Sequence, residues 1–310
     1  METCRGAFSE TILEKAKNDR NIIVVCTDSR GSASLGAYPK EVPEQFVEMG
    51  IAEQNAVSVS AGMAKLGKKL FVIGPASFYS MRAAEQIKVD LAYSQADVKV
   101  IGISGGISYG ALGATHHSLQ DIALMRAIPG LVVEIPADAN QMRGLTDALL
   151  ARRGPAYVRI GRGAVPDIYE RRCKVEIGKA IRLQDGNDAA IFACGQMVWR
   201  ALEAAKLLRE KGVEVRVYDM HTIKPLDKEA ILEAAKECGC ILSVEEHSIY
   251  GGLGGTIAEV VAGTNPVPMQ IMGIPDEDVP NGKDSEVFDF YYINPIGIAA
   301  AVKRLMSQKR

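Results

Sequence analysis

The stretch Phe8-Ser-Glu-Thr-Ile-Leu-Glu-Lys-Ala-Lys-Asn-Asp-Arg-Asn-Ile-Ile-Val-Val-Cys26 carries two hydrophobic periods in succession. Phe8, Ile12, Leu13 and Ala16 recur at helical spacing until Asn18-Asp19 breaks the pattern. The run Ile22–Cys26 is then short and apolar at every position, with four β-branched residues before Cys26, as expected of a strand buried on both faces. Outward from this helix and strand the same alternation continues: helix 51–66, strand 69–74, helix 80–95, strand 98–104, a glycine-rich loop, helix 118–127, strand 131–135, helix 138–152 and strand 156–160. Strands alternating with helices in this way predict a doubly wound α/β domain over residues 1–163.

The pattern stops at Gly161-Arg-Gly-Ala-Val-Pro166, and the charged, irregular Tyr169-Glu-Arg-Arg-Cys-Lys174 lies in what reads as a linker over 164–175. A second, smaller doubly wound α/β domain is predicted over 176–310. Its strands fall near 176–183, 189–194, 213–219, 240–245 and 268–272, and its helices at 197–211, 227–238, 253–262 and 295–307. A length of 310 residues suits two such domains better than one core. No fixed-period repeat or low-complexity tract points to a solenoid or a disordered tail.

The formal net charge of -2 gives no electrostatic footprint for a nucleic-acid partner. Apolar runs such as 22–26 and 131–133 fall well short of the roughly 18 residues of a membrane span. The start Met-Glu-Thr-Cys-Arg-Gly has an early acid and no apolar signal core, so a soluble, cytoplasmic protein is expected. The six cysteines, Cys4, Cys26, Cys173, Cys194, Cys238 and Cys240, form no CxxC pair, and several sit among aliphatic residues, so reduced structural thiols are expected and no metal site.

Five segments carry candidate chemistry, the last two taken as a pair. The first is Phe46-Val-Glu-Met-Gly-Ile-Ala-Glu-Gln-Asn55, followed by the small-residue helix from Ala56 to Gly67. With Gly50 as N-cap, Glu53 would be the third helical residue, where glutamates commonly bond backbone amides. The second is Ala76-Ser-Phe-Tyr-Ser-Met-Arg-Ala-Ala-Glu-Gln86, a strand end turning into a helix with Phe78 and Tyr79 at the junction; a hydrophobic staple would explain them equally. The third is the glycine-rich loop Ser108-Tyr-Gly-Ala-Leu-Gly-Ala-Thr-His-His-Ser118, between a strand and a helix where α/β proteins place their sites. The last is the pair Val217-Tyr-Asp-Met-His-Thr-Ile-Lys-Pro-Leu-Asp227 and Ser243-Val-Glu-Glu-His-Ser-Ile-Tyr-Gly-Gly-Leu-Gly-Gly255. Gly251 to Gly255 lacks the GxGxxG spacing of a dinucleotide loop and reads as a tight turn into helix 253–262.

Together these segments resemble, over essentially the whole chain, the C-terminal half of the transketolase family: its pyrimidine-binding domain followed by its C-terminal domain. The resemblance implies a thiamine-diphosphate enzyme that moves a two-carbon ketol unit from a ketose phosphate to an aldose. It gives Glu53 the role of the glutamate that bonds the cofactor's aminopyrimidine and favours the imino tautomer, a proton-transfer role that typically contributes 10²–10⁴-fold. Tyr79 would stack on the pyrimidine with Phe78 beside it. His116 would bond sugar hydroxyls and help move protons. Asp28 would lie near the cofactor, and Arg5, Ser32 and Arg162 would contact the substrate phosphate, which arginine can bind bidentately.

Two departures bear on substrate. The family's histidine twelve positions before His116 is Ser104, and its hydroxyl-reading aspartate four positions before His116 is Leu112. A specialised transketolase acting on a branched or sulfonated sugar is therefore an alternative. The diphosphate segment of the family, a Gly-Asp-Gly run followed by an asparagine, does not occur. A second subunit carrying the N-terminal half, and the magnesium or calcium ligands with it, is expected, in an α2β2 assembly. The β subunit of a 2-oxoacid dehydrogenase shares this layout, but Lys224-Pro-Leu-Asp227 and Gly113-Ala-Thr-His116 favour transketolase. A protein that only binds partners is the remaining rival, disfavoured by Glu53, Tyr79 and His116 standing together.

Overall fold

A computed structural model describes residues 1–170 and 172–309. Six parallel strands, β1 (Ile22–Cys26), β2 (Phe46–Glu48), β3 (Lys69–Pro75), β4 (Val98–Ile103), β5 (Val132–Glu134) and β6 (Ala156–Arg159), build the first sheet. Alternate residues of β1 feed two different cores. Ile22, Val24 and Cys26 pack with Phe8, Ile12 and Leu145 from the helices Cys4–Ala16 and Ala139–Ala151, while Ile23 and Val25 pack with Ala56, Val57 and Ile87 on the opposite face. Both faces of β1 are thus buried, which is why its sequence is apolar without alternation.

The second sheet holds β7 (Ile181–Gln184), β8 (Ala189–Ala193) and β9 (Val215–Asp219). The chain then returns to the first sheet as β10 (Thr222–Lys224), antiparallel to β5, before β11 (Ile241–Ser248) and β12 (Met269–Ile274) complete the second. The orders are β10-β5-β6-β4-β3-β1-β2 and β12-β11-β8-β9-β7. The helices Met197–Arg209 and Pro295–Met306 cover one side of the second sheet. On its other side Phe192, Tyr218 and Ile231 join the same apolar cluster as Val25 and Val133 of the first sheet, so the two sheets share a core.

The two α/β layers follow the sequence expectation, with local differences. The predicted helix 80–95 starts earlier, at Ala76, and is broken: Ala76–Arg82 is α-helical, Ala84–Gln86 is a single turn, and Ile87–Tyr93 widens to a π-helix. The strand expected near 176–183 forms only at Ile181–Gln184. The short elements Phe46–Glu48, Thr222–Lys224 and the helix Asp284–Phe290 were not anticipated. The helix read as 51–66 runs Glu53–Lys65 with Ala52 as N-cap; Gly50 stands outside it at φ +66°. Glu53 is therefore the first helical residue rather than the third, and it caps no backbone amide.

Candidate active site

The candidate residues gather just past the carboxyl ends of the parallel strands, where open α/β sheets form their crevices. Asp28 follows β1, Glu53 follows β2, Phe78 and Tyr79 follow β3, His116 lies on the loop after β4, and Arg162 follows β6. Arg5 reaches the same end from the start of the first helix and donates from Nη1 to the Ser32 carbonyl at 2.8 Å.

Glu53 is 2 % exposed. Its Oε2 accepts a hydrogen bond from Arg82 Nη1 at 2.7 Å, and Oε1 has no hydrogen-bond partner among the described residues. A buried carboxylate with an uncommitted oxygen suits a ligand that donates from a ring nitrogen. Arg82 also lies over the Phe78 ring, 4.7 Å from its centroid.

Phe78 continues the chain of contacts. His116 meets its edge with ring centroids 5.2 Å apart, Tyr109 meets His116 at 5.4 Å, and the Arg162 guanidinium covers Tyr109 at 4.7 Å. Glu53, Arg82, Phe78, His116, Tyr109 and Arg162 thus form one run. Thr115 Oγ1 lies 2.9 Å from His116 Nδ1 and orients the ring.

Tyr79, the ring expected to stack on the cofactor, points the other way. It is fully buried, and its hydroxyl pairs with Thr27 Oγ1 at 3.1 Å. Burial pushes its phenol far above the ordinary value. Gly74 of β3 must lack a side chain here, since a methyl would come within 2.6 Å of the Tyr79 ring. Because the helix Ala76–Arg82 begins directly at the end of β3, position 79 turns into the core and position 78 into the crevice. The partly exposed ring is Phe78.

Arg5 and Arg162 line one cleft of about 760 Å³ with Ser108 and Gly110. The Arg5 guanidinium is shifted below its ordinary value by burial and by the charge of Arg162. Asp28 is exposed at φ +48°, its N–H donating to Glu48 Oε1 at 2.8 Å. Leu112 is 52 % exposed on the glycine-rich loop, so a large apolar side chain faces outward there. Ser104 is buried at φ +56° with its hydroxyl unpaired among the described residues. His117 is buried with both ring nitrogens unpaired among those residues, and burial followed by the neighbouring His116 lowers its pKa.

The glycine-rich loop is held from the second sheet. Glu246 of β11 accepts the Ile107 N–H at 2.9 Å, and Arg159 Nη2 donates to the Glu246 carbonyl at 2.6 Å. Gly105 and Gly106 have no room for a Cβ against Arg159 and Glu246. Arg82, Tyr109 and Glu246 all stand within the segments singled out from sequence, but nothing near Glu246 signals that it binds Ile107, 139 positions away.

The family described as transketolase, pyrimidine binding domain, matches residues 2–167, and that described as transketolase, C-terminal domain, matches residues 178–298. The chain is 54% identical over 299 residues to one of the subunits of the apulose-4-phosphate transketolase of Phocaeicola vulgatus, covering 96% of each. It is 35% identical over 272 residues to a 6-deoxy-6-sulfo-D-fructose transketolase subunit of a Clostridium species, covering 88% of this chain and 84% of that one. A solved split-gene transketolase, described as an inactive β4 tetramer, superposes with a TM-score of 0.92 at 35% identity over 100% of both chains. The chain therefore belongs to the transketolase family, as a C-terminal-half subunit of its split form.

Proposed function

We propose that this chain, paired with an N-terminal-half transketolase subunit as α2β2, transfers a two-carbon ketol unit from a ketose phosphate to an aldose acceptor. The observation that carries the proposal is the unbroken run from buried Glu53 through Arg82, Phe78, His116 and Tyr109 to Arg162 and the Arg5 cleft. It puts a proton-accepting carboxylate at one end and an anion-binding cleft at the other.

Thiamine diphosphate fits the Glu53 end, because Glu53 Oε1 is uncommitted and Phe78 offers an aromatic surface beside it. When bound, it supplies the carbon nucleophile for ketol transfer. In our assignment Glu53 holds a proton at a pyrimidine nitrogen, and Phe78, rather than the Tyr79 of the sequence expectation, packs against that ring. Tyr79 fixes the wall behind it. His116 bonds the sugar and moves protons at its hydroxyls, while Arg5, Arg162 and the Ser32 segment hold the phosphate. Asp28 we keep as a cofactor-side residue at the end of β1. The arginine-rich lining favours an anion over a hard cation, so we assign the magnesium or calcium ligands of the diphosphate to the partner.

A partner also accounts for the surface. Val59 on the helix Glu53–Lys65 and Met81, Val89 and Tyr93 on the adjoining 76–93 stretch are exposed, with Ile51 just before Glu53. Exposed apolar groups clustered on neighbouring elements mark protein contact sites. All six cysteines are unpaired and no described helix is long and apolar enough to cross a membrane; we place the enzyme in the cytoplasm. We likewise divide the chain at 1–163, 164–175 and 176–310.

Leu112, where the family resemblance puts a hydroxyl-reading aspartate, favours a specialised substrate over the pentose-phosphate set, and the 54% identical relative makes apulose 4-phosphate the first choice. The test is to assay the assembled pair, with thiamine diphosphate and magnesium, on apulose 4-phosphate, 6-deoxy-6-sulfofructose and xylulose 5-phosphate. Preference for xylulose 5-phosphate sinks the specialised substrate, and full turnover by this chain alone sinks the partner requirement.

A further inference from the structure

The cleft that holds Arg5 and Arg162 contains a third cation, and it arrives from the far end of the chain. Lys283 lies between β12 and the helix Asp284–Phe290 and lines the same cleft. Its segment is seated on the glycine-rich loop by backbone contact. Gly282 N–H donates to the Gly110 carbonyl at 3.4 Å, a Cβ on Gly110 would fall on the Gly282 carbonyl oxygen, and one on Gly113 would strike the Asn281 amide. The backbone leading into Lys283 is therefore set by packing against the loop, and the exposed lysine side chain extends from it along the cleft.

The cleft is built for an anion. Neither Arg5, Arg162 nor Lys283 has an ion-pair partner among the described residues, although two acids share the lining. Those acids are engaged by the backbone: Glu286 Oε2 accepts the Lys283 N–H at 3.1 Å, and Asp284 Oδ1 accepts the Ser285 N–H at 2.9 Å. Arg5 Nε is buried with no hydrogen-bond partner, a state that buried donors rarely keep. Like charges held together with a donor left over are relieved by a bound dianion, which accepts charge-assisted hydrogen bonds from each.

We infer that Lys283 of the C-terminal domain is a ligand of the substrate phosphate beside Arg5 and Arg162, and so a specificity residue for phosphorylated sugars. This rests on assigning Arg5 and Arg162 to the sugar phosphate. An unphosphorylated sugar gains nothing from Lys283, so its effect must separate by substrate.

The assembled enzyme with Lys283→Gln, compared on a phosphorylated ketose and its unphosphorylated counterpart, should raise KM about tenfold for the first alone, with kcat changed by less than about twofold. Lys283→Arg should restore KM. Independently, calorimetric titration of the full chain with inorganic phosphate at constant ionic strength should show binding weakened about tenfold in Lys283→Gln and unchanged in the exposed control Lys303→Gln. Equal KM increases for both sugars, or phosphate binding identical in wild type and Lys283→Gln, overturns the assignment. Should the assembled pair turn over neither sugar, the transferase proposal fails while the phosphate titration still decides Lys283.

Discussion

Glu246→Gln tests whether the second sheet holds the glycine-rich loop. Glu246 is 5 % exposed; Oε1 accepts the Ile107 N–H at 2.9 Å, and Oε2 accepts Gln196 Nε2 at 2.7 Å and faces Arg159 Nη2 at 3.6 Å. Burial raises the Glu246 pKa, and Arg159 is the largest influence opposing that rise. Glutamine keeps the shape and one acceptor, but sets an NH2 against either the Gln196 and Arg159 donors or the Ile107 amide. One buried donor then goes unpaired, at about 1–3 kcal/mol. Arg159 keeps only Asp121, 3.4 Å away, as a counter-charge. Breaking a buried pair outright costs about 3–5 kcal/mol, and the surviving Asp121 places this change near the lower end, about 3 kcal/mol. With an m-value of about 3 kcal/mol/M, the urea midpoint should fall by about 1 M. Hydrogen exchange at the Ile107 amide should accelerate about 30-fold, the equivalent of about 2 kcal/mol of local opening. A midpoint shift under about 0.3 M with Ile107 protection unchanged would refute the role given to this carboxylate.

Three further outcomes follow from the same geometry. Glu53→Gln in the assembled enzyme at saturating thiamine diphosphate should lower kcat at least about 100-fold, and retention of more than about a tenth of the activity would remove Glu53 from proton transfer. Gly110→Ala should destabilise the chain by about 1–3 kcal/mol, because its methyl meets the Gly282 backbone rather than a side chain that can turn away; an unchanged melting curve contradicts this. Burial disfavours the charge on His221, yet the hydrogen bond to Glu134 at 3.1 Å and the charge of Asp219 raise its pKa above 6.5. That contribution is complete below 6.5 and fades as pH rises through the folded value. Urea midpoints should fall from pH 6 to 8 in wild type and flatten in His221→Asn; parallel slopes in the two proteins exclude it.

What could be read from sequence was whatever short-range pattern decides. The uniform apolar run of β1 reports two covered faces, and Ile22 and Ile23 do divide between two cores. Phe78 and Tyr79 were legible as a pair, but which of them faces the crevice depends on the exact residue at which the helix starts, here Ala76, and boundaries are what periodicity fixes least. The π-helix Ile87–Tyr93 kept the apolar spacing of an ordinary helix closely enough to be read as one. β10 is three residues whose strand character comes from pairing with β5, and Thr222-Ile-Lys224 has no signal of its own. The roles of Glu246 and Lys283 leave no mark in the sequence for a stronger reason: each acts on a segment more than a hundred positions away.

The same long-range contacts change what the C-terminal domain is. An accessory domain on a tether would leave the first sheet and its loops complete without it. Here β10 closes the edge of that sheet beside β5, with Glu134 of β5 bonded to Thr222 and His221. Glu246 takes the Ile107 amide at the entrance to the glycine-rich loop, and Gly282 presses on its middle. The loop that carries Leu112 and His116 is thus fixed at one end by β4 and along its length by the C-terminal half. Its glycines at 106, 110 and 113 are read most simply as the space that contact requires, while Gly105 leaves room for Arg159 of β6. Substitutions on the C-terminal face of this seam should therefore change KM for the sugar before they change the affinity for thiamine diphosphate, since Glu53 and Phe78 stand on helices that follow β2 and β3 and pack chiefly against the first sheet.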